Sequence, residues 1–324
     1  MSFERTHYVA LCGGVGGAKL ALGLSECLGS RLTIIVNTGD DFEHLGFPIS
    51  PDIDTVIYTL AGLANLETGW GRADETWSFM DALGSLGGPT WFRLGDKDLA
   101  MHAERRRWLA EGRPLSAFCA HIGAKLKIAP AILPMSDDQI RTRLTTSDGD
   151  MAFQEYFVAR RCEPEVSAIR YEGAKEAAPL PQALAALQSP DLAGVIICPS
   201  NPYLSIDPIL TLAGLRAALQ ACPAPIIAIT PIIGGKAVKG PTVKLMEELG
   251  FKPGARAIAN HYADLIDGFV LDQTDSAQAD DFPVPAQIGQ TLMTDLASKV
   301  SLAQSSIAFC ESLRALPKQA QPGA

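Results

Sequence analysis

The junction at residues 7–28 constrains this chain most. His7-Tyr-Val-Ala-Leu-Cys12 is a short apolar run, Gly13-Gly-Val-Gly-Gly17 is a glycine turn, and the segment from Ala18 to Leu28 repeats its apolar residues at helical spacing. Strand, turn and helix in that order open a βαβ unit, and Leu32-Thr-Ile-Ile-Val-Asn37 supplies a second buried-type strand. Glycine lets backbone approach a phosphate without a Cβ in the way, and the N–H groups at a helix start attract anions. Neither well-known phosphate motif fits. Counted as a P-loop from Gly13, the turn puts Ala18 where the second glycine belongs and Leu20 where the hydroxyl belongs; counted as a dinucleotide fingerprint from Gly14, it puts Lys19 at the last glycine.

Acids follow the turn closely. Asp40 and Asp41 lie just past the second strand, where an open parallel sheet lines its ligand crevice, and Asp52 and Asp54 follow the turn-rich stretch Gly46-Phe-Pro-Ile-Ser-Pro51. Two like charges about 4 Å apart repel by roughly 4 kcal/mol at an effective dielectric of 20, so converging carboxylates call for a divalent cation. All-oxygen ligation favours magnesium, which takes one or two protein carboxylates plus phosphate oxygens and water. The structural alternative is that Asp40 caps a turn and Asp54 caps a helix beginning near Thr55.

Beyond Thr55 the pattern is mostly helical to Ala131. Ile140–Thr146 and Met151–Val158 flank Ser147-Asp-Gly-Asp150 as a hairpin, and parallel-type strands resume at Gly194–Pro199, Pro225–Thr230 and Gly268–Asp272. A helix is expected with Asp207 as N-cap, Pro208 as first residue and Leu210–Leu219 as body, and a last helix from about Asp295 to Leu313. The fold class is therefore α/β, a Rossmann-like, mostly parallel sheet flanked by helices. The expected organisation is a core of residues 1–60 and 155–315, a mostly helical insertion with a β-hairpin over 61–154, and a frayed polar tail at 316–324. Two further loops stand at strand ends. Ser200 and Asn201 offer hydrogen bonds to a base, a sugar or a phosphate, and Lys236 and Lys239 offer positive charge to an anion.

A formal charge of -9 argues against nucleic acid or an anionic membrane as partner, so an anionic ligand must be held locally. Seven cysteines without Cys-x-x-Cys spacing or a disulfide framework point to buried thiols in a reducing, cytoplasmic compartment. The N-terminal apolar run is too short for a signal peptide, and no stretch is long enough to span a membrane.

Taken in order, Gly13-Gly-Val-Gly-Gly-Ala-Lys19, Asn37-Thr-Gly-Asp-Asp41, Ile49-Ser-Pro-Asp-Ile-Asp-Thr55, Gly69-Trp-Gly71, Glu75-Thr-Trp77, Trp91-Phe-Arg-Leu-Gly-Asp-Lys-Asp-Leu-Ala100, Ser200-Asn-Pro202 and Pro231-Ile-Ile-Gly-Gly-Lys236 resemble the 2-phospho-L-lactate transferase family of coenzyme F420 biosynthesis. The resemblance covers about residues 8 to 310. It implies a Rossmann-like core that moves a phospho-acid from a guanosine diphosphate-linked donor to the deazaflavin 7,8-didemethyl-8-hydroxy-5-deazariboflavin, releasing GMP with magnesium present. It assigns catalysis to Asp40, Asp41 and Lys19. Phosphate and guanosine go to Gly13, Gly14, Val15, Gly16, Gly17, Ser200, Asn201 and Lys236, and magnesium to Asp40, Asp52 and Asp54. The deazaflavin goes to Asn37, Asp54, Trp70, Trp77, Phe92 and Asp96, with Asp74, Glu75 and Asp98 in the same region. Asp40 and Asp41 both qualify as acceptor of the hydroxyl proton, and the residues do not separate the two roles. A homodimer is implied by the family alone.

A sister group of nucleotide-sugar-binding regulators shares the glycine turn and the Asn-Thr-x-Asp-Asp signature and is the alternative reading. There the double aspartate runs into a Gly-Gly-Ser-Ser-type segment, whereas here Phe42-Glu-His-Leu-Gly46 leads to Ile49-Ser-Pro-Asp-Ile-Asp-Thr55, as in the transferases. An NAD-dependent oxidoreductase is disfavoured by the broken fingerprint and by acids that would repel a pyrophosphate. The acid carried by the donor, whether phospholactate, phosphoenolpyruvate or phosphoglycerate, is not legible in any single residue.

Overall fold

Aliphatic runs buried along most of their length form a seven-stranded sheet in the computed structural model of the chain, which describes residues 6–315. Numbered along the chain within this sheet, the strands are β1 (His7–Cys12), β2 (Leu32–Val36), β3 (Ala131–Pro134), β4 (Leu192–Ile197), β5 (Ile226–Ile229), β6 (Gly268–Asp272) and β7 (Ala286–Gly289). Their spatial order is 3-2-1-4-5-6-7 and every pairing is parallel, with Leu11 facing Ile35 on one side and Ile197 on the other. Parallel strands need cover on both faces, which explains runs such as Leu32-Thr-Ile-Ile-Val36 that carry no polar alternation. One face is covered by α1 (Gly14–Leu28), α2 (Pro51–Leu60) and the last helix, Leu296–Arg314, through Leu20, Leu24, Ile53, Ile57 and Leu302. The other is covered through Leu187, Leu215, Leu245 and Ile258. Strand order reverses between β1 and β4, so the crevice of the fold opens at their C-terminal ends.

The segment between β2 and β3 carries α3 (Ser78–Ser85), α4 (Asp96–Ala110) and α5 (Leu115–Lys125). Insertion and core are interleaved differently from the expected split at 61–154. Ala131–Pro134 lies inside that span yet pairs with β2 as the edge strand of the main sheet, and Val166–Glu172, outside it, pairs with Arg141–Thr146 in a three-stranded antiparallel sheet. A four-residue edge strand that alternates exposed and buried positions carries little of the buried-strand signature. The hairpin turn falls at Ser147-Asp148 as expected, but its second strand stops at Ala152.

Three helix starts are corrected. α1 begins at Gly14, not Ala18, so Gly14–Gly17 of the expected glycine turn form its first turn and only Gly13 stands before it as cap. α2 begins at Pro51, not Thr55, because Pro fits the first helical position; Asp52 and Asp54 therefore lie inside the first turn and Asp54 is not a cap. The helix expected over 208–219 breaks at Gly214, whose φ of 85° is left-handed, and Asp207 is not its cap, since its carboxylate receives His261 Nε2 at 2.8 Å. The last helix starts after Asp295, which closes a capping box with Ser298. The tail at 316–324 lies outside the described residues. Among the described residues no helix is long and apolar enough to cross a membrane, and Cys12, Cys27, Cys119, Cys162, Cys198 and Cys310 are free thiols.

Candidate active site

The glycine turn is shaped by what crosses it. Ser200, just past β4, donates its hydroxyl to Gly13 O at 2.8 Å and accepts Gly13 N at 3.4 Å, which ties the two strand ends together across the crevice. A Cβ on Gly16 would lie 2.3 Å from Pro199 O, and one on Gly13 would lie 2.6 Å from Ser205 Cβ. A helix leaves its first N–H groups without internal partners. Here Gly14 N, at a φ of 63°, donates to Asp52 Oδ1 at 2.7 Å, which leaves Val15 and Gly16 as first-turn donors for a ligand.

Asp52 opens a network of buried acids. Its second oxygen accepts Asn37 Nδ2 at 2.9 Å; Asn37 also donates to Leu204 O at 3.2 Å and accepts Gly39 N at 2.8 Å, so one amide at the end of β2 joins α2, the acid loop and the segment after β4. Asp40 is only 6% exposed and its Oδ1 has no hydrogen-bond partner; burial, then the Asp52 charge, hold its carboxyl well above the usual range. Asp41 receives Ser50 Oγ on Oδ2 at 2.7 Å, while Oδ1 is buried without a partner. Burial pushes Asp41 up to about 7 against the opposing pull of Ser50, Arg105 and Arg141. Asp54 pairs with Arg105 Nη2, and His102 Nδ1 lies 3.8 Å from its other oxygen.

Arg105 is the cation that makes this cluster tolerable. It arrives from α4, is fully buried, and also donates Nη1 to Pro48 O at 3.0 Å. Sequence reading missed it, because Glu104-Arg-Arg-Arg107 has the composition of a solvated helix face and only the packing of α4 singles out its second residue. His102 and Arg141 were missed in the same way, lying outside the glycine and aspartate motifs, and Ser50 was missed within the Ile49–Thr55 motif because its aspartates draw the attention.

The donor set suits magnesium in part. Among the described residues no group of three or more histidine, cysteine or acidic side chains forms a metal cage. Magnesium needs only one or two carboxylates when a substrate brings phosphates, and the orphaned, buried Oδ1 atoms of Asp40 and Asp41 meet that need. Asp52 has both oxygens committed to Gly14 and Asn37, and Asp54 faces Arg105.

The remaining candidates divide between the crevice and purely structural contacts. Lys19 donates to Met293 O at 2.9 Å, beside the start of the last helix, and its pKa is lowered by burial and by Lys299 and Lys239. Lys236 is exposed on a two-residue hairpin strand, while Lys239 donates to Thr68 O at 2.7 Å where the turn at Gly69 lies over Val15 of the glycine turn. Asn201 caps the turn Pro202–Ile206 by accepting Tyr203 N at 3.0 Å and Leu204 N at 3.1 Å, and donates to Thr242 Oγ1 at 3.1 Å. In the insertion, Asp96 accepts Ser78 N at 3.1 Å and Phe79 N at 3.0 Å and so holds the start of α3. Phe92 packs edge-on against Phe42 at 4.8 Å in a small apolar cluster with Ile49, Met80 and Leu94. Trp70 is 53% exposed and lines a small hollow with Trp77, Arg93 and Asp98; the Arg93 guanidinium lies 3.9 Å over the Trp77 ring.

The family model described as 2-phospho-L-lactate transferase CofD matches residues 8–297. A phosphoenolpyruvate transferase from Kitasatospora aureofaciens is 39% identical over 317 residues, covering 94% of this chain and 98% of its own. A 2-phospho-L-lactate transferase from Methanopyrus kandleri is 38% identical over 309 residues, covering 94% of this chain and 97% of its own. Among solved structures, a member of the UPF0052 family from Bacillus halodurans superposes with a TM-score of 0.60 at 16% identity, covering 95% of this chain and 100% of that one, which is a likeness of fold alone.

Proposed function

The chain belongs to the 2-phospho-L-lactate transferase family, and from that premise we propose that it moves a phospho-acid from a guanosine diphosphate-linked donor to the terminal ribityl hydroxyl of 7,8-didemethyl-8-hydroxy-5-deazariboflavin, releasing GMP. The observation that carries this reading is the pair of buried, unpartnered carboxylate oxygens on Asp40 and Asp41, at the crevice and beside a glycine turn with first-turn N–H donors. Phosphoryl-type transfer needs positioning and charge neutralisation more than covalent chemistry. The ribityl oxygen forms a bond to the phosphorus that bears the acid, and the bond from that phosphorus to the GMP oxygen breaks. Asp41, fixed through its other oxygen by Ser50, accepts the hydroxyl proton at Oδ1, and the N–H groups of Val15 and Gly16 hold donor phosphate.

Asp40 is the residue to hold magnesium, which when bound offsets negative charge on the phosphates. Asp52 and Asp54 stand behind it, orienting the loop through Gly14, Asn37 and Arg105. Trp70 and Trp77 are the aromatic surface for the deazaflavin ring. The donor acid is one of phospholactate, phosphoenolpyruvate and phosphoglycerate; relatives named for the first two are nearly equally similar, at 38% and 39% identity, so similarity does not choose between them. The same reading takes the enzyme to be a cytoplasmic homodimer.

The test mixes purified protein, deazaflavin, magnesium and each guanylylated donor, then follows GMP release and deazaflavin mass. A gain of one phospho-acid unit that disappears in Asp40→Asn supports the transferase and identifies its donor. No product from any donor, together with tight binding of a nucleotide sugar, overturns it.

A further inference from the structure

One row of α1 runs away from the glycine turn: Val15, Lys19 and Gly23, each four residues from the next, share a face of the helix. Two further lysines meet this row. Lys239, just past the hairpin strand Lys236–Ala237, brings Nζ to 2.5 Å from where a Cβ on Gly69 would lie, and Val15 Cγ1 is 3.3 Å from the same point. The last helix crosses the row at Gly23, whose Cβ would lie 2.2 Å from Lys299 O. Lys19 stands between these two crossings.

Among the described residues no carboxylate pairs with any of the three. Lys19 and Lys239 donate to main-chain carbonyls, Met293 O at 2.9 Å and Thr68 O at 2.7 Å, which leaves each ammonium with donors to spare. Lys299 is only 7% exposed, and among the described residues its ammonium makes no hydrogen bond or ion pair. A lysine is rarely buried to that degree unless paired. The charges of Lys299 and Lys239 both bear on Lys19, adding to the effect of its burial. Asp295, the acid that Lys299 helps to hold low, spends its carboxylate on Ser298 in the capping box. Like charges gathered in this way, in a chain of net charge -9, call for an anion between them.

We propose that Lys19, Lys239 and Lys299 form a subsite for the carboxylate of the donor's acid, separate from the N–H groups that take its phosphate. This rests on the transferase reading above. Phospholactate, phosphoenolpyruvate and phosphoglycerate differ in their carbon skeletons, but each carries a carboxylate two or three bonds from the ester oxygen. With the phosphate on the N–H groups of Val15 and Gly16, that carboxylate is within reach of lysines set about one helical turn, roughly 5.4 Å, further along the same helix. A carboxylate accepts charge-assisted hydrogen bonds about twice as strong as neutral ones, so it competes with Met293 O and Thr68 O for Lys19 and Lys239. The subsite holds what the three acids share. It therefore selects donors that carry an acid over esters of GDP that do not, and does not rank the acids.

Lys239 is exposed, so Lys239→Met removes one charge without touching the core, and Lys299→Met removes another while keeping a buried apolar stem. Calorimetric titration in the absence of deazaflavin compares each guanylylated acid with the ethyl ester of GDP, which has the same diphosphate diester and no carboxylate. The wild type is expected to bind an acid-bearing donor about tenfold or more tighter than the ethyl ester. Lys239→Met and Lys299→Met should each lose about tenfold on that donor and stay within about twofold of wild type on the ester. Equal affinity of the wild type for donor and ester, or a preference that survives in both variants, overturns the subsite. Turnover of a guanylylated donor by the wild type, measured alongside, is independent of these outcomes: if it persists while the titrations fail, only the subsite is wrong, and if it is absent with every donor, the transferase reading itself has failed.

Discussion

Asp52 accepts the backbone N–H of Gly14 at 2.7 Å, so the first turn of α2 supplies the anion that caps α1. The other oxygen is occupied by Asn37 Nδ2, and both contacts are donors to a carboxylate. An isosteric amide cannot reproduce that. In Asp52→Asn the new NH2 faces either Gly14 N–H or Asn37 Nδ2, and flipping Asn37 only moves the conflict to Gly39. A buried donor left unmatched costs about 1–3 kcal/mol. Relief of repulsion with Asp40 offsets part of this, and chemical denaturation is expected to show a net loss. A variant as stable as the wild type would mean that the two contacts contribute nothing.

Arg105 faces Asp54 directly and acts on Asp41 through charge. Removing one partner of a buried pair leaves the other charge uncompensated, which costs about 3–5 kcal/mol. Arg105→Met is therefore expected to be strongly destabilised, and Arg105→Met combined with Asp54→Leu less so than the single change. A thermal melt of both decides it; additive losses would show that the pair is not coupled.

Burial raises Asp41 to about 7 and Asp52 to about 6, against roughly 4 in an unfolded chain. Between those values the folded protein keeps protons that the unfolded chain has released, so folding stability falls as pH rises from about 4 to 7. Carboxyls held low by exposed arginines, such as Glu104 and Asp150 at about 2, titrate below that window and do not mask the trend. Metal-free protein should melt at a higher temperature at pH 5 than at pH 8. Magnesium should recover part of the loss at pH 8 in the wild type and none in Asp40→Asn. A melting temperature that is flat over this range, or a magnesium effect that survives in Asp40→Asn, contradicts the assignment.

What could be read in the chain was what depends on neighbours in sequence. The glycine-rich junction of strand and helix after His7–Cys12, the acids past β2, the strand runs of β4 to β6 and the last helix from about Asp295 all follow from local pattern, and all are present, although the helix takes in all but the first glycine. What could not be read depends on partners far along the chain. The hydrogen bond from Gly14 to Asp52 spans 38 residues, and the contact of Arg105 with Asp54 spans 51. Asp96 has the residue type of a ligand group, but the N–H groups of α3, some 17 residues earlier, hold its carboxylate. Ala131–Pro134 is too short to announce itself and becomes a strand because β2 offers it an edge.

Gly16 tests whether the glycine turn is shaped by helix preference or by close approach. It lies inside α1, where alanine would by propensity gain about 1 kcal/mol. Its Cβ, however, would sit 2.3 Å from Pro199 O, a backbone atom that cannot rotate away. Overpacking of this kind costs about 1–3 kcal/mol, more than propensity returns. The displacement would also move Ser200 or the first turn of α1, the two sides of the crevice. Gly123 provides the control, since it lies within α5 with open space where a Cβ would go. Gly123→Ala is expected to raise the denaturation midpoint by the propensity gain alone and leave GDP affinity untouched, whereas Gly16→Ala lowers both. If Gly16→Ala matched Gly123→Ala in both measurements, the turn would be a structural junction with room to spare, and the case for a phosphate held by Val15 and Gly16 would lose its steric basis.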